Sequence, residues 1–151
     1  MNNLLLIDLG ARLDYGVIFK HKGTGKNYML KSISLADNEN GEIIEYHVNS
    51  IYNLNDITPY LRRLETMTDA EKQELKTLCN RDLSEYARFI QKGHGLFHDG
   101  LYMFDKVRQL DWLNKKFFDW RGLIDTNQAI EVTKENNPYG IDLGGEEDEE
   151  I

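Results

Sequence analysis

The chain has 151 residues, of which 40% are hydrophobic and 29% charged, a composition typical of one folded domain. No apolar run approaches the ~18 residues that a membrane-spanning helix needs, and a single cysteine excludes an internal disulfide or a thiolate zinc cluster. The formal net charge is -8, but Glu146–Glu150 supply five of the negative charges, which leaves 21 acidic against 18 basic residues, a balance that disfavours tight nonspecific binding to duplex nucleic acid.

The N-terminal stretch LLLIDLGARLDYGVI places an Asp and two glycines between apolar runs. This layout resembles the first phosphate-binding hairpin of the actin, sugar-kinase and heat-shock-chaperone ATPases, in which Asp8 would hold a metal-bound water and Gly10 would let the backbone approach a phosphate. That class needs a second domain, and the later IDLGG leads into acidic residues that would repel a phosphate. We therefore interpret Asp8 and Gly10 as part of a turn that leads into the first strand.

Three runs between residues 15 and 49 alternate apolar and polar side chains: YGVIF, YMLKSISL and IIEYHV. The connecting segments, HKGTGKN and ADNENGE, are rich in Gly and Asn, which supply the positive φ angles of hairpin turns. The pattern predicts an antiparallel meander of three strands. The segment QAIEVTK is predicted to return one short strand to the sheet edge.

The middle of the chain changes to a helical period. Thr68 and Glu71 form a capping-box pattern that starts a helix, and apolar residues then recur at spacings of three and four up to Ile90. Whether one helix or two spans residues 69–91 stays open. A second main helix is predicted with Asp105 as its N-cap and Gly122 beyond its end.

These elements together predict an α+β fold. A small antiparallel sheet of three or four strands in the N-terminal half is expected to pack with two main helices in the C-terminal half. Residues 1–135 are predicted to form a single domain. Residues 136–151 are polar, contain Pro138 and Gly140, and end in the acidic run, so they are predicted to form a flexible acidic tail.

The segment GHGLFHDG contains a candidate metal site formed by His94, His98 and Asp99. Two His four apart can share a metal on one helix face, but the glycines of this segment favour a surface loop. No catalytic residue, metal or cofactor is therefore assigned.

The segment DKVRQLDWLNKKFFDWRG interleaves aromatic and basic side chains, as in surfaces that stack on single-stranded bases. Helical spacing also predicts that part of this segment packs in the core, and three Asp residues offset its charge. The tentative binding residues are Arg62, Trp112, Lys115, Lys116, Trp120 and Arg121.

Three motifs carry a family resemblance: ARLDYGV at 11–17, PYLRRLETMT at 59–68 and WLNKKFFDWRGLI at 112–124. The chain resembles an uncharacterised family of phage- and prophage-associated proteins from gut Bacteroidetes. It departs from the family pattern at Asp14, at Arg63 and at Trp120. The resemblance implies a mobile-element protein made in the bacterial cytoplasm, and it implies no activity.

The expected function is that of a non-enzymatic phage or prophage accessory protein that acts through contacts with another phage or host protein. The first alternative is a single-stranded nucleic-acid accessory factor that uses the 112–121 patch. The second is a metal-dependent enzyme. The C-terminal GGEEDEEI is similar to the acidic tails by which single-stranded DNA-binding proteins recruit partners. No membrane contact is expected, and the oligomeric state stays open.

Overall fold

The computed structural model describes residues 3–37, 39–41, 43–79 and 98–144. The predicted α+β fold is confirmed, with two sheets largely in the N-terminal half and helices mostly in the C-terminal half. The described α-helices are α1 (Asn3–Arg12), α2 (Asp69–Cys79) and α3 (His98–Lys115). The described strands are β1 (Ile18–His21), β2 (Asn27–Met29), β3 (Ile33–Asp37), β4 (Ile43–Val48), β5 (Tyr52–Asn53), β6 (Ile57–Leu61) and β7 (Ile130–Glu131).

The N-terminal segment is helix α1, so the predicted turn at Asp8 and Gly10 is wrong. Leu5 and Leu9 lie one helical turn apart and are both buried in the core, which is the spacing of an apolar helix face. Gly10 is exposed and a Cβ there would meet nothing within 4 Å. Because Asp8 and Gly10 both lie inside α1, they do not form the strand–turn–strand arrangement of a phosphate hairpin.

The predicted meander is divided between two sheets. One sheet has the order β2-β1-β6-β7 and the other has the order β3-β4-β5. The run YMLKSISL contributes β2 to the first sheet and β3 to the second because the Asn49 side chain interrupts it. The Asn49 Oδ1 accepts from the amides of Lys31 (2.7 Å) and Ser32 (3.2 Å), and its Nδ2 donates to the Met29 carbonyl (2.9 Å).

The predicted short edge strand within QAIEVTK is β7. It pairs in parallel with β6, with Tyr60 opposite Ile130 and Leu61 opposite Glu131. Helices α2 and α3 lie between β6 and β7 in the chain, which gives the long connection that a parallel pair needs. β7 is one edge strand of the four-stranded sheet, and β2 is the other.

The capping box that starts α2 is confirmed. The Glu71 amide donates to Thr68 Oγ1 (3.1 Å), and the Thr68 amide donates to Glu71 Oε1 (3.0 Å). The helix is described as far as Cys79, and residues 80–97 lie outside the described residues, so the question of one helix or two over 69–91 stays open.

The predicted N-cap of α3 is wrong, because α3 begins at His98 and Asp105 lies inside it. Its end is formed by Phe117, which has a positive φ of 64°. The Phe117 amide donates to the Asn114 carbonyl (3.1 Å) and the Phe118 amide to the Leu113 carbonyl (2.9 Å). These bonds form a Schellman motif with a bulky residue where glycine is usual.

The main core lies between α1, the sheets and the 123–129 segment. Its buried residues are Leu5, Leu9, Val17, Phe19, Leu30, Val48, Leu54, Ile57, Leu61, Leu123, Ile124 and Ala129. A smaller cluster of Met67, Trp112 and Phe118 lies between α2 and α3. Within the described ranges, no helix combines the length and apolar character needed to cross a membrane.

The packed chain continues to Gly144, nine residues beyond the predicted domain boundary. The Tyr139 ring stacks on Phe117 at 4.1 Å, and its hydroxyl accepts from the Ile18 amide (2.9 Å) and donates to the Tyr60 carbonyl (2.8 Å). The Gly144 amide donates to Thr66 O (2.6 Å). Residues 136–144 therefore belong to the domain, and the predicted tail over 145–151 lies outside the described residues.

Candidate functional site

Arg62 is the first of the tentative binding residues, and it is an interior residue, 1% exposed. Its guanidinium makes two 2.8 Å hydrogen bonds to the Glu71 carboxylate, and a third bond of 2.9 Å reaches the Thr66 carbonyl. Burial raises the pKa of Glu71, but the hydrogen bonds from Arg62 and Thr68 outweigh this and lower the pKa below its ordinary value. Arg62 thus joins β6 to the first turn of α2.

Trp112 is also an interior residue. Its ring stacks on Phe118 with centroids 5.8 Å apart, and the Arg62 guanidinium lies 4.1 Å from the centroid of the Phe118 ring. The indole Nε1 is buried and has no hydrogen-bond partner among the described residues. A base has no access to a ring enclosed in this way, so Trp112 supports the core rather than a stacking surface.

The turn after α3 presents backbone groups to the buried arginines. The Arg62 amide donates to the Phe117 carbonyl (2.8 Å), and the Asp119 amide donates to the Arg62 carbonyl (2.7 Å). The Asp119 carboxylate accepts from the amides of Leu123 and Ile124, both at 2.9 Å. The positive φ of Phe117 makes this arrangement possible, and its stacking on Tyr139 holds it.

Asp8, Arg12 and Arg121 form a second charged cluster. Asp8 contacts the Arg12 guanidinium, and both side chains are fully buried; Arg12 also donates to the Phe118 carbonyl, and the Arg121 Nε lies 3.6 Å from Asp8 Oδ1. Burial raises the pKa of Asp8 although the two arginines oppose the shift. Within the described ranges, both Asp8 oxygens and the Nε atoms of both arginines lack a well-aligned hydrogen bond.

Trp120 and Arg121 form a stacked pair that is partly exposed. The Arg121 guanidinium lies 4.0 Å from the Trp120 ring centroid, a cation–π geometry. The Trp120 Nε1 donates to Asn114 Oδ1 (2.8 Å). One face of the indole is therefore covered by Arg121, whose charge is directed towards Asp8.

A cavity of about 490 Å³ brings three of the six tentative residues together beside the first turn of α2. We call it the Lys115 cavity. Lys116 Nζ lies 3.9 Å from Glu74, whereas the exposed Lys115 has no anionic partner among the described residues. Its lining residues are Arg62, Thr68, Ala70, Glu71, Lys115, Lys116, Phe117, Ile141 and Asp142.

The Lys115 cavity could not be predicted from the sequence, because its lining residues come from three segments that are far apart in the chain. Ala70 and Ile141 were not predicted to be site residues, because their side chains have no polar or ionisable group that would indicate binding. A second feature could have been predicted from the sequence, because residues 15–36 contain four lysines and no Asp or Glu. An acid-free window in a chain of net charge -8 marks a basic element.

The proposed metal residues are only partly described. His98 and Asp99 are the first residues of α3, so the loop expected at these positions is wrong there. His94 lies outside the described residues. Within the part of the chain that the structure describes, no group of three or more potential metal ligands is found.

The chain matches no protein-family model, no curated protein and no solved structure. The resemblance to the phage and prophage family therefore stays a prediction.

Proposed function

We propose that this protein is a non-enzymatic interaction module that captures a short acidic segment of a protein partner in the Lys115 cavity. The observation that carries the proposal is Lys115 itself, a cation without an anionic partner among the described residues, in a cavity that Phe117 and Ile141 also line. A carboxylate beside an apolar side chain is the complementary ligand.

The charges around the cavity support an acidic ligand. The Arg62 and Glu71 side chains bind each other, so they contribute little net charge. Asp142 also lines the cavity, and Lys116 is paired with Glu74 outside the lining. Lys115 is therefore the lining cation that has no ion pair with a described carboxylate.

The first turn of α2 also favours an acidic ligand. Ala70 lines the cavity, and its amide is one of the donors that an α-helix leaves unpaired at its N-terminus. The capping box uses the amide of Glu71 but not that of Ala70. The positive end of the helix dipole thus points to the same acidic ligand.

The partner is proposed to be another protein of a phage or of its bacterial host, met in the cytoplasm. This setting rests on the resemblance of the three sequence motifs. The nucleic-acid alternative for residues 112–121 is weaker, because Trp112 is buried and Phe117 is stacked on Tyr139. Few aromatic faces are left there for bases.

Selection from a random peptide display library tests the proposal. We expect the full-length protein to enrich peptides that carry Asp or Glu next to an apolar residue. The Lys115→Glu/Lys116→Glu variant is expected to lose this enrichment, since it reverses the two cationic side chains of the cavity. Lys134→Glu is the matched control, because Lys134 is exposed and does not line the cavity.

Three outcomes would contradict the proposal. The first is enrichment of basic peptides or of no peptides, and the second is equal enrichment by the cavity variant and the wild-type protein. The third is turnover of a nuclease, phosphatase or peptidase substrate that disappears on mutation of one residue, which would overturn the non-enzymatic part.

A further inference from the structure

The hairpin formed by β1 and β2 is the most basic element of the described structure. It belongs to the window of residues 15–36, in which four lysines occur without any Asp or Glu. Lys22 and Lys26 are exposed and flank the hairpin tip. Neither lysine has an ion pair with a described carboxylate. The Lys22 Nζ donates instead to the carbonyl of Asn55 (3.2 Å).

The hairpin tip has a defined shape. The His21 amide donates to the Lys26 carbonyl (2.9 Å), and the Gly25 amide donates back to the His21 carbonyl (2.8 Å). Gly25 has a φ of 69°, which favours glycine. The Thr24 amide donates to His21 Nδ1 (3.2 Å). Two cations on a fixed tip lose less conformational freedom on binding than cations on a mobile loop.

Aromatic rings lie next to these cations. The Tyr28 and Tyr52 centroids are 5.0 Å apart, and the His21 and Tyr52 centroids are 4.6 Å apart. All three side chains are half-buried, so each keeps part of its surface towards solvent. The buried Phe19 ring packs against both tyrosines, with its centroid 5.9 Å from that of Tyr28 and 5.8 Å from that of Tyr52.

The two tyrosines influence each other's pKa. The pKa of Tyr28 is lowered, chiefly through Tyr52 and Thr24, with a smaller contribution from the charge of Lys26. The pKa of Tyr52 is raised, chiefly through Tyr28. The two rings contact each other, and each stays half-buried.

Glu45 and Asp56, two carboxylates on neighbouring elements, do not pair with the hairpin lysines in the described structure. Glu45 is occupied by His47 and by Asn53, which donates at 2.6 Å. Asp56 is exposed and contacts the hairpin through its backbone carbonyl, which accepts from the Lys22 amide (2.8 Å). The Asp56 carboxylate makes no ion pair with Lys22 or Lys26 in the described structure.

We propose that the surface formed by His21, Lys22, Lys26, Tyr28 and Tyr52 binds single-stranded nucleic acid. Lysines beside partly open aromatic rings provide phosphate contacts and base stacking together, which is how sequence-tolerant single-strand binding works. A duplex is the poorer ligand because its bases are already stacked and two cations give few phosphate contacts. This site is separate from the Lys115 cavity and shares no residue with it.

Fluorescence anisotropy of labelled single strands of DNA and RNA, at about 50 mM salt and above, tests the inference. The full-length protein is expected to bind, with a slope of log K against log salt of about -1.4 for two phosphate contacts. Lys22→Glu/Lys26→Glu is expected to weaken binding at least about tenfold and to flatten the slope. Tyr52→Leu is expected to weaken binding at least about fivefold, whereas Tyr52→Phe keeps the ring and most of the affinity.

Lys134→Glu is again the matched control, because Lys134 follows β7 at the opposite edge of the same sheet. It makes the same charge change per site, and we expect affinity within about twofold of the wild type. Lys115→Glu/Lys116→Glu is expected to bind the strand normally, so failure of this inference and failure of the proposed function are distinguishable.

The inference is overturned if the wild-type protein binds neither strand at low salt, or if the hairpin variant binds as tightly as the wild type. It is also overturned if polyglutamate displaces the strand as well as unlabelled DNA does, since plain charge attraction requires no stacking. Circular dichroism establishes that each variant is folded. If Tyr52→Leu does not fold, the lysine variant decides the result.

Discussion

The two buried arginines in the described part of the chain have contrasting surroundings. Arg62 binds the Glu71 carboxylate through two good hydrogen bonds and also reaches Thr66. Arg12 contacts Asp8 in a cluster whose carboxylate oxygens and two Nε atoms have no well-aligned partner among the residues that the structure describes. The pKa is accordingly lowered at Glu71, whereas burial raises it at Asp8. Burial alone therefore does not decide whether an ion pair favours the charged state; its hydrogen bonds do.

The largest expected effect is that of removing the well-bonded arginine. Arg62→Ala leaves Glu71 without its partner and removes the cation over Phe118, so we expect the free energy of unfolding to fall by about 3–5 kcal/mol. Urea denaturation measures this change.

The neighbouring Arg63 is the control for Arg62→Ala. It pairs with Asp125 and Glu131, both at 2.9 Å, but its side chain is 36% exposed. Arg63→Ala is expected to cost much less than Arg62→Ala, because solvent screens such pairs. Equal losses at the two positions would show that the Arg62 network contributes nothing special.

The second effect concerns the poorly bonded pair. Arg12→Met leaves a buried Asp8 without its closest cation and is expected to cost about 3 kcal/mol. Asp8→Met/Arg12→Met removes both charges and is expected to return to within about 1 kcal/mol of the wild type. A double-mutant cycle by urea denaturation checks this, and additive losses would contradict the proposed difference between the pairs.

The features that could be predicted from the sequence are those set by local spacing. The capping box at Thr68 and Glu71 and the edge strand at Ile130 depend on local spacing, and both were predicted. Helix α1 was missed because the Asp–Gly pattern suggested a turn. Its Asp8 pairs with Arg12 four residues on, a local spacing that the turn interpretation overlooked, and it also contacts Arg121, far along the chain.

The site depended even more on tertiary contacts. Arg62 and Trp112 resemble surface binding residues in sequence, but contacts with distant residues bury them. Arg62 binds Glu71, and Trp112 stacks on Phe118. Lys115 and Ile141 meet at a cavity that no spacing pattern specifies. In contrast, the lysines of the β1–β2 hairpin could have been recognised from charge alone.

A smaller effect tests how the Arg62–Glu71 pair is oriented. Thr68→Ala removes the hydroxyl that accepts from the Glu71 amide, and we expect a loss of about 1 kcal/mol in the free energy of unfolding. Thr77→Ala is the control, since its hydroxyl is exposed and donates only to the Gln73 carbonyl. Its expected change is within about 0.5 kcal/mol, and a loss equal to that of Thr68→Ala would contradict the capping role.

The last effect is a pH dependence with opposite signs at the two acids. The folded state holds the Asp8 proton more tightly than the unfolded state, so the free energy of unfolding should rise as pH falls through the raised pKa towards 3.8. The lowered pKa of Glu71 acts oppositely and removes stability as pH falls below 4.5. Urea denaturation across this range should show the Asp8 contribution disappear in Asp8→Met/Arg12→Met, and an unchanged profile would contradict it.

The most direct test of the account is an amide NMR titration of the full-length protein with a peptide that carries Glu beside Leu. The account predicts that the largest chemical-shift changes map to Ala70, Lys115 and Ile141, while the hairpin amides of Lys22 and Lys26 stay unchanged. Shifts that map to the hairpin instead, or no shifts at all, would contradict the claim that the Lys115 cavity is the protein-binding site.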